Sequence, residues 1–400
     1  MKPRIFINMH YMEIGGAERA LLGLLNAIDT NKVDVDLFIN QHTGEFMKLI
    51  PNKINLLPEI PSYSVIESPI KDAIRKGQLK IAFARLKARL KYNKYLKSLD
   101  KPKLAIEGSA THYVADEVIK YLPSLYHLGE YDLAISFLDP PHITQDKVLA
   151  KKRIEWIHTD FSYISINYDV EFNRWAKNDY IASISPDITT AYLKTFSTLK
   201  DKILLIENIL SPKFIIQQAS LFEPQEMQGD FMKFCSIGRF CFQKNFENIP
   251  YIAQILKEKG LNFKWYIIGF GDTAETVQNI NITNTEGCVI LLGKKDNPYP
   301  YIANCDIYVQ PSRYEGKSVT VREAQILCKP VIITNYPTST SQIINTVDGI
   351  ICDKDNEAIA NAIYNLIQDK ELQSKIIEYL STHDYGNEKE VDKIYTLLGI

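Results

Sequence analysis

Two glutamates eight positions apart, Glu315 and Glu323, lie in "RYEGKSVTVREAQILCKP", residues 313–330. The "DIYVQPS" run before them reads as a strand ended by Pro311, and Ser318 is a preferred N-cap for the helix that follows. That helix is expected to run through "VTVREAQILC" and to stop before Pro330. The peptide N–H groups from about Gly316 through Lys317 and Ser318 to Val319 are then the unpaired donors of a helix end, able to hold a phosphate. Glu315 stands just ahead of those donors, and Glu323 about one turn inside. Carboxylates accept well from sugar hydroxyls, so one glutamate suits a hexose and the other a ribose. Acidic residues near a helix N-terminus are also common for stability alone.

Three more loops carry residue types with chemistry. In "HYMEIGGAERALLGLLNAI", 10–28, Gly15 and Gly16 open a helix, where bare backbone N–H groups and the dipole favour an anion. A tight turn would use the same glycines, and the spacing is not GxGxxG. In "CSIGRFCFQKNFENI", 235–249, Arg239 precedes Lys244 by five residues. Arg offers a planar fork and Lys a point charge, a pair that can grip a pyrophosphate. Alone, they read equally as solvated surface charges. In "YIIGFGDTAE", 266–275, Gly269 and Gly271 make a bare GxG, which more often only tightens a turn.

All of these residues need strands to hold them. Short apolar runs alternate with helical patterns at 4–9, 35–40, 132–137, 153–158, 180–185 and 202–207, then at 233–238, 264–269, 288–293, 306–311, 330–334 and 349–352. Continuous apolar strands, each followed by a helix, indicate parallel sheets covered on both faces. Two such series indicate two Rossmann-like α/β domains, 1–208 and 209–384, with the boundary in "ENILSPKF". A C-terminal helix, 385–400, can return to the first domain. Ligands of open α/β sheets bind beyond the carboxyl ends of the strands, and every motif above falls in such a loop.

The order of these pieces is similar to a known family. A GGAE turn near the N-terminus, GR…K opening the second half, and E-x7-E followed by "KPVIIT" resemble the retaining glycosyltransferases of the GT4 family (group 1). "EWIHTDF", "IASISPDI", "LIENIL" and "KKDNPYPYI" add to the resemblance. It implies the GT-B fold, two Rossmann-like parallel-sheet domains facing across a cleft, an acceptor-binding first and a nucleotide-sugar-binding second. It implies that Arg239 and Lys244 neutralise the donor's diphosphate, helped by Gly16 and the amides of Lys317, Ser318 and Val319. Glu315 would bind the donor sugar, Glu323 the ribose, the backbone around Lys294 the base, and His158 would lie near the donor sugar. From the residues alone, His158 reads better as a histidine capping a strand end. Ser318 stands where many relatives have glycine, and Lys329 where they often have one. The implied donor is a UDP-sugar, with no cofactor and no metal. "DVD" at 34–36 and "DKD" at 353–355 read as loop or strand-edge residues. A sugar-nucleotide epimerase, a phosphorylase and a non-catalytic nucleotide-sugar binder are the competing readings.

Composition limits the partners. The 400 residues carry a formal net charge of -2, so no global field points to nucleic acid. No apolar run is long enough to span a membrane, and the N-terminus lacks the h-region of a signal peptide. The six cysteines, all after residue 234, have no CxxC spacing, which fits a reducing cytoplasm better than a disulfide framework. The charge is segregated. Residues 70–103 hold twelve Lys or Arg against two Asp, with Leu79, Phe83, Leu86 and Leu90 at helical spacing. A basic amphipathic helix suits the anionic inner face of a cell membrane and a glycan or lipid-linked acceptor, as in capsule or O-antigen assembly. A helix packed on its own domain with its charge outward is the plainer alternative.

Overall fold

The computed structural model describes residues 2–13, 15–99, 106–159, 161, 164–315 and 318–400, with 106 and 107 as backbone only. The chain forms two compact units: Met1–Ile209 with Glu388–Ile400, and Leu210–Asn387.

The first unit contains strands β1 (Arg4–Met9), β2 (Asp34–Ile39), β3 (Asn55–Leu56), β4 (Ile106–Glu107), β5 (Glu130–Ser136), β6 (Leu149–Ile157), β7 (Ile164–Ser165), β8 (Tyr180–Ser183) and β9 (Ile203–Leu205). Seven of them make one parallel sheet in the order β3-β2-β1-β5-β6-β8-β9, and β4 pairs with β7 separately. Ile5, Phe6 and Ile7 of β1 are sealed from solvent on both faces of the sheet, which explains their unbroken apolar run. The C-terminal segment belongs to this unit. The Tyr395 hydroxyl accepts from the Asp29 N–H at 2.7 Å, Glu390 from the Glu207 N–H at 2.8 Å, and the Leu397 carbonyl from Lys152 at 2.6 Å.

The second unit contains β10 (Met232–Ile237), β11 (Phe263–Ile268), β12 (Val289–Gly293), β13 (Ile307–Gln310), β14 (Val331–Thr334) and β15 (Ile350–Cys352). They form a parallel sheet in the order β12-β11-β10-β13-β14-β15. Its core gathers Phe234, Trp265, Ile307, Val309 and Ile332 under the helices Ile249–Glu258 and Asn356–Gln368.

Both sheets have a switch point, where consecutive crossovers run to opposite sides and leave a crevice beyond the strand ends. In the first unit it lies between β1 and β5. In the second it lies between β10 and β13. The loops after those four strands are where sites should form.

Candidate functional site

The loops after β10 and β13 meet at Glu315. The Lys244 ammonium lies 2.6 Å from Glu315 Oε1, with both side chains largely buried. The Ser312 hydroxyl donates to the same oxygen at 2.6 Å, and the Gln243 amide donates to Oε2 at 3.3 Å. The backbone is tied to match. Asn245, in left-handed conformation at φ 60°, donates from its side chain to the Pro311 carbonyl. The Arg313 N–H donates to Gln243 O at 2.9 Å, and Thr338 holds the Glu315 carbonyl at 2.7 Å. Gly238 lets the lysine pass, since a Cβ there would meet Lys244 Cε at 3.1 Å. A cation and a carboxylate expected to serve different parts of one ligand are thus each other's partners here.

Arg239 and Lys294 converge elsewhere. Each charged group lies 5.6 Å from the ring centre of Phe270, an aromatic that is 53% exposed. Phe270 sits in the "GFGD" loop, and that loop's glycines do more than tighten a turn. A Cβ on Gly269 would fall 1.8 Å from the Gly238 carbonyl oxygen, so the loops after β10 and β11 touch backbone to backbone. Gly271 has φ +127°, which excludes other residues without strain. Sequence reading missed Phe270; the signal was an exposed aromatic between two glycines.

Three expectations need correction. Ser318 occupies the N-cap of the helix Val319–Ile326, but its side chain caps nothing. Its hydroxyl pairs with Thr320 at 3.2 Å instead. Its amide is not an open phosphate donor either: it donates to Gln342 Oε1 at 3.1 Å, while Gln342 donates back to the Ser318 carbonyl at 2.5 Å. Glu323, expected under a nucleoside, is fully buried and accepts from the Tyr299 hydroxyl at 2.9 Å. Its carboxylate turns inward because the helix lays Val321, Ala324 and Gln325 into the core with it. Val319 is the exposed first helical residue. Gly316 and Lys317 lie outside the described residues.

The remaining candidates are in the first unit. Gly15 is the N-cap of the helix Gly16–Ala27, and a Cβ on it would collide with the buried Glu18 carboxylate at 2.1 Å. Gly16 faces open space. His158 follows β6, its ring 4.9 Å from that of Phe137. Burial pulls its pKa down to about 4 against a hydrogen bond with the Phe137 backbone, so the imidazole is neutral at neutral pH. Its Nε2 is buried with no partner among the described residues.

His158 also lines a cavity of about 250 Å³ with Asp139, Trp156, Glu171 and Trp175. Around it lies a buried polar cluster that sequence reading missed. His112 Nε2 is 2.6 Å from Asp139, Ser109 donates to Glu171 at 2.7 Å, and Asn178 donates to Glu155 at 2.7 Å. Burial, then the Asp139 carboxylate, push Glu155 well above the usual carboxylate range. Both indole N–H groups, of Trp156 and Trp175, are buried without a partner among the described residues. A cavity with such donors and carboxylates fits a polyhydroxylated ligand. The two D-x-D stretches are engaged otherwise. Asp36 accepts from Arg4 and Tyr131, Asp353 from Asn335, and Asp355 caps the helix Asn356–Gln368.

Residues 217–382 match the family description "Glycosyl transferases group 1". That match covers most of the second unit and less than half of the chain. The capsular polysaccharide biosynthesis glycosyltransferase CapM of Staphylococcus aureus is 30% identical over 144 residues, 35% of this chain and 38% of CapM. The UDP-Gal:alpha-D-GlcNAc-diphosphoundecaprenol alpha-1,3-galactosyltransferase of Escherichia coli is 27% identical over 171 residues, 41% of this chain and 44% of that enzyme. The likeness thus spans less than half of either relative. Among solved structures, Anabaena Alr3699/HepE in complex with UDP and glucose superposes with a TM-score of 0.64 at 16% identity, covering 99% of both chains. The fold is GT-B.

Proposed function

We propose that the chain transfers a sugar from a UDP-sugar to a hydroxyl of a lipid-linked glycan, with retention of configuration, in bacterial surface polysaccharide assembly. The observation that carries this reading is the meeting of Lys244 and Glu315 at the switch point of the unit that matches group 1. When the donor binds, its diphosphate takes Lys244, and Glu315 is released to the donor sugar's hydroxyls. Departure of the diphosphate is then helped by a fixed cation already in place, without reorganisation at the moment of reaction. His158, neutral and with a free nitrogen, suits a sugar hydroxyl rather than proton transfer at neutral pH. The base would lie by Phe270, between Arg239 and Lys294. The UDP donor and the lipid-linked acceptor are supported by the names of the relatives. A panel of UDP- and GDP-sugars, read by nucleotide release, tests the reading. One UDP-sugar should be hydrolysed, and excess EDTA should leave the rate within about twofold; no turnover of any donor, or abolition by EDTA, would overturn it.

The helix Leu79–Ser98 supports a site on the inner membrane face. Its packed side is Ile81, Ala82, Ala84 and Ala88, small residues that let it lie close on its own unit. Leu79, Phe83, Leu86 and Leu90 are instead exposed, at 63%, 63%, 46% and 71%. The apolar stripe is therefore not the packing face, and the plainer alternative does not explain it. No described helix is long and apolar enough to cross a membrane. Not every cation faces outward. Arg85 turns in to the Val65 and Ser68 carbonyls, while Lys87 and Lys91, with Lys120, hold the buried Glu117. Lys80, Arg89, Lys94 and Lys97 are the exposed charges with no ion pair among the described residues. Each contributes on the order of 1 kcal/mol near an anionic bilayer. Replacing all four by Gln should lower the affinity for phosphatidylglycerol vesicles by about 10²–10³; unchanged co-sedimentation would return the helix to a solvated role.

A further inference from the structure

A second cavity, about 240 Å³, adjoins the polar one in the first unit. Thr111 lines both, and so does the loop after β5, with Leu138 and Asp139 on the polar side and Pro140, His142 and Ile143 on the other. The apolar walls of the second cavity include Ile66, Val114, Val118, Ile119 and Leu122, and Asn40 adds a polar side chain. Native interiors seldom leave voids larger than a water molecule, and here Ala115 stands where a larger side chain would close the space. One end is charged. His10 Nδ1 lies 2.5 Å from Glu67, and Arg85 enters from the basic helix. Arg85 and the paired His10 and Glu67 thus give this end of the cavity its polar groups. Arg85 Nε is buried with no partner among the described residues, a donor left for an anion.

We propose that this apolar cavity receives the hydrocarbon chain of the lipid-linked acceptor, with the phosphate of the lipid at Arg85 and His10 and the glycan in the adjoining polar cavity. The proposal rests on the glycosyltransferase reading and names where its acceptor binds. Two features favour a phosphorylated chain over a wholly apolar molecule: the orphan Arg85 N–H, and the continuity with a cavity of hydroxyl-binding character. The helix that brings Arg85 is also the one whose exposed Leu79, Phe83, Leu86 and Leu90 suit a bilayer.

Farnesyl phosphate and isopentenyl phosphate share a headgroup and differ in chain length, so they separate the cavity from a bare anion site. Each methylene buried is worth about fourfold in affinity. Calorimetry on the full chain, without vesicles, should therefore show farnesyl phosphate binding at least tenfold tighter. Ala115→Phe, which fills the cavity, should remove that advantage while UDP affinity stays as in the native protein. Equal affinity for the two probes, or an unchanged preference in A115F, would overturn the proposal. Should A115F fail to fold, a diazirine analogue of farnesyl phosphate on the native chain decides. Label within 114–122 or on Ile143 supports the cavity, and label confined to 79–90 means adhesion to the exposed stripe and overturns it. A native chain that binds the farnesyl probe but no UDP or UDP-sugar would sink the glycosyltransferase reading instead.

Discussion

Glu315→Gln should lower turnover of the preferred UDP-sugar by about 10²–10³ and leave UDP binding nearly intact. The size is that seen when one preorganised stabilising group is removed from an active site. Glu315 Oε1 holds two short contacts, to Lys244 Nζ and Ser312 Oγ. Glutamine keeps the shape and one acceptor oxygen, so the loop after β13 stays placed. What it loses is negative charge beside a sugar that becomes oxocarbenium-like as the diphosphate leaves. UDP lacks the sugar, so its affinity should change little, and the Lys244 freed from its carboxylate partner can only favour the diphosphate. Glu323→Gln should behave in the opposite way. Its carboxylate is buried on the Tyr299 hydroxyl, so melting temperature should move more than turnover. Melting temperature beside steady-state turnover separates the two, and calorimetry with UDP checks the affinity of Glu315→Gln. If both variants keep native turnover and only melt earlier, these glutamates are helix-end electrostatics.

The sheets were legible because parallel strands covered on both faces must be apolar throughout, and each of the twelve runs read in the sequence contains a strand. The misses have physical causes. Asn55–Leu56, Ile106–Glu107 and Ile164–Ser165 are two-residue strands, too short to show any period. The strand Leu149–Ile157 begins four residues before the run read from the sequence, because its first half pairs only with Glu130–Leu133 and has an open edge that accepts Lys151 and Lys152. In the site, residue types were legible and partners were not. Gln342 on the Ser318 amide and Tyr299 on Glu323 are each 24 positions away in sequence. The cluster of His112, Asp139, Glu155 and Glu171 comes from four segments, and no local pattern announces it. The amphipathic spacing of Leu79, Phe83, Leu86 and Leu90 was visible, but only the structure shows that the alanine face does the packing.

Lys244→Ala should cost at least tenfold in kcat/KM and also destabilise the fold, and these two effects should come apart in a double variant. A charge-assisted hydrogen bond to the diphosphate is worth roughly 1.5–3 kcal/mol, which sets the kinetic loss. The stability loss has another origin. The Glu315 side chain is 7% exposed and that of Lys244 17%, so removing the lysine strands a carboxylate in a poorly solvated site. Breaking a buried pair from one side costs up to about 3–5 kcal/mol; Ser312 and Gln243 still donate to Glu315, which places the expected cost below that range. Adding Glu315→Gln to Lys244→Ala removes the stranded charge. Melting temperature should then recover most of the way to the native value, while kcat/KM falls further, since the diphosphate's cation and the sugar's carboxylate are both gone. A pair that served only the fold would give the reverse in activity: the double variant would turn over donor as well as the native chain. Native kinetics in Lys244→Ala alone would remove the diphosphate from this lysine altogether, and with it the switch-point site in the second unit.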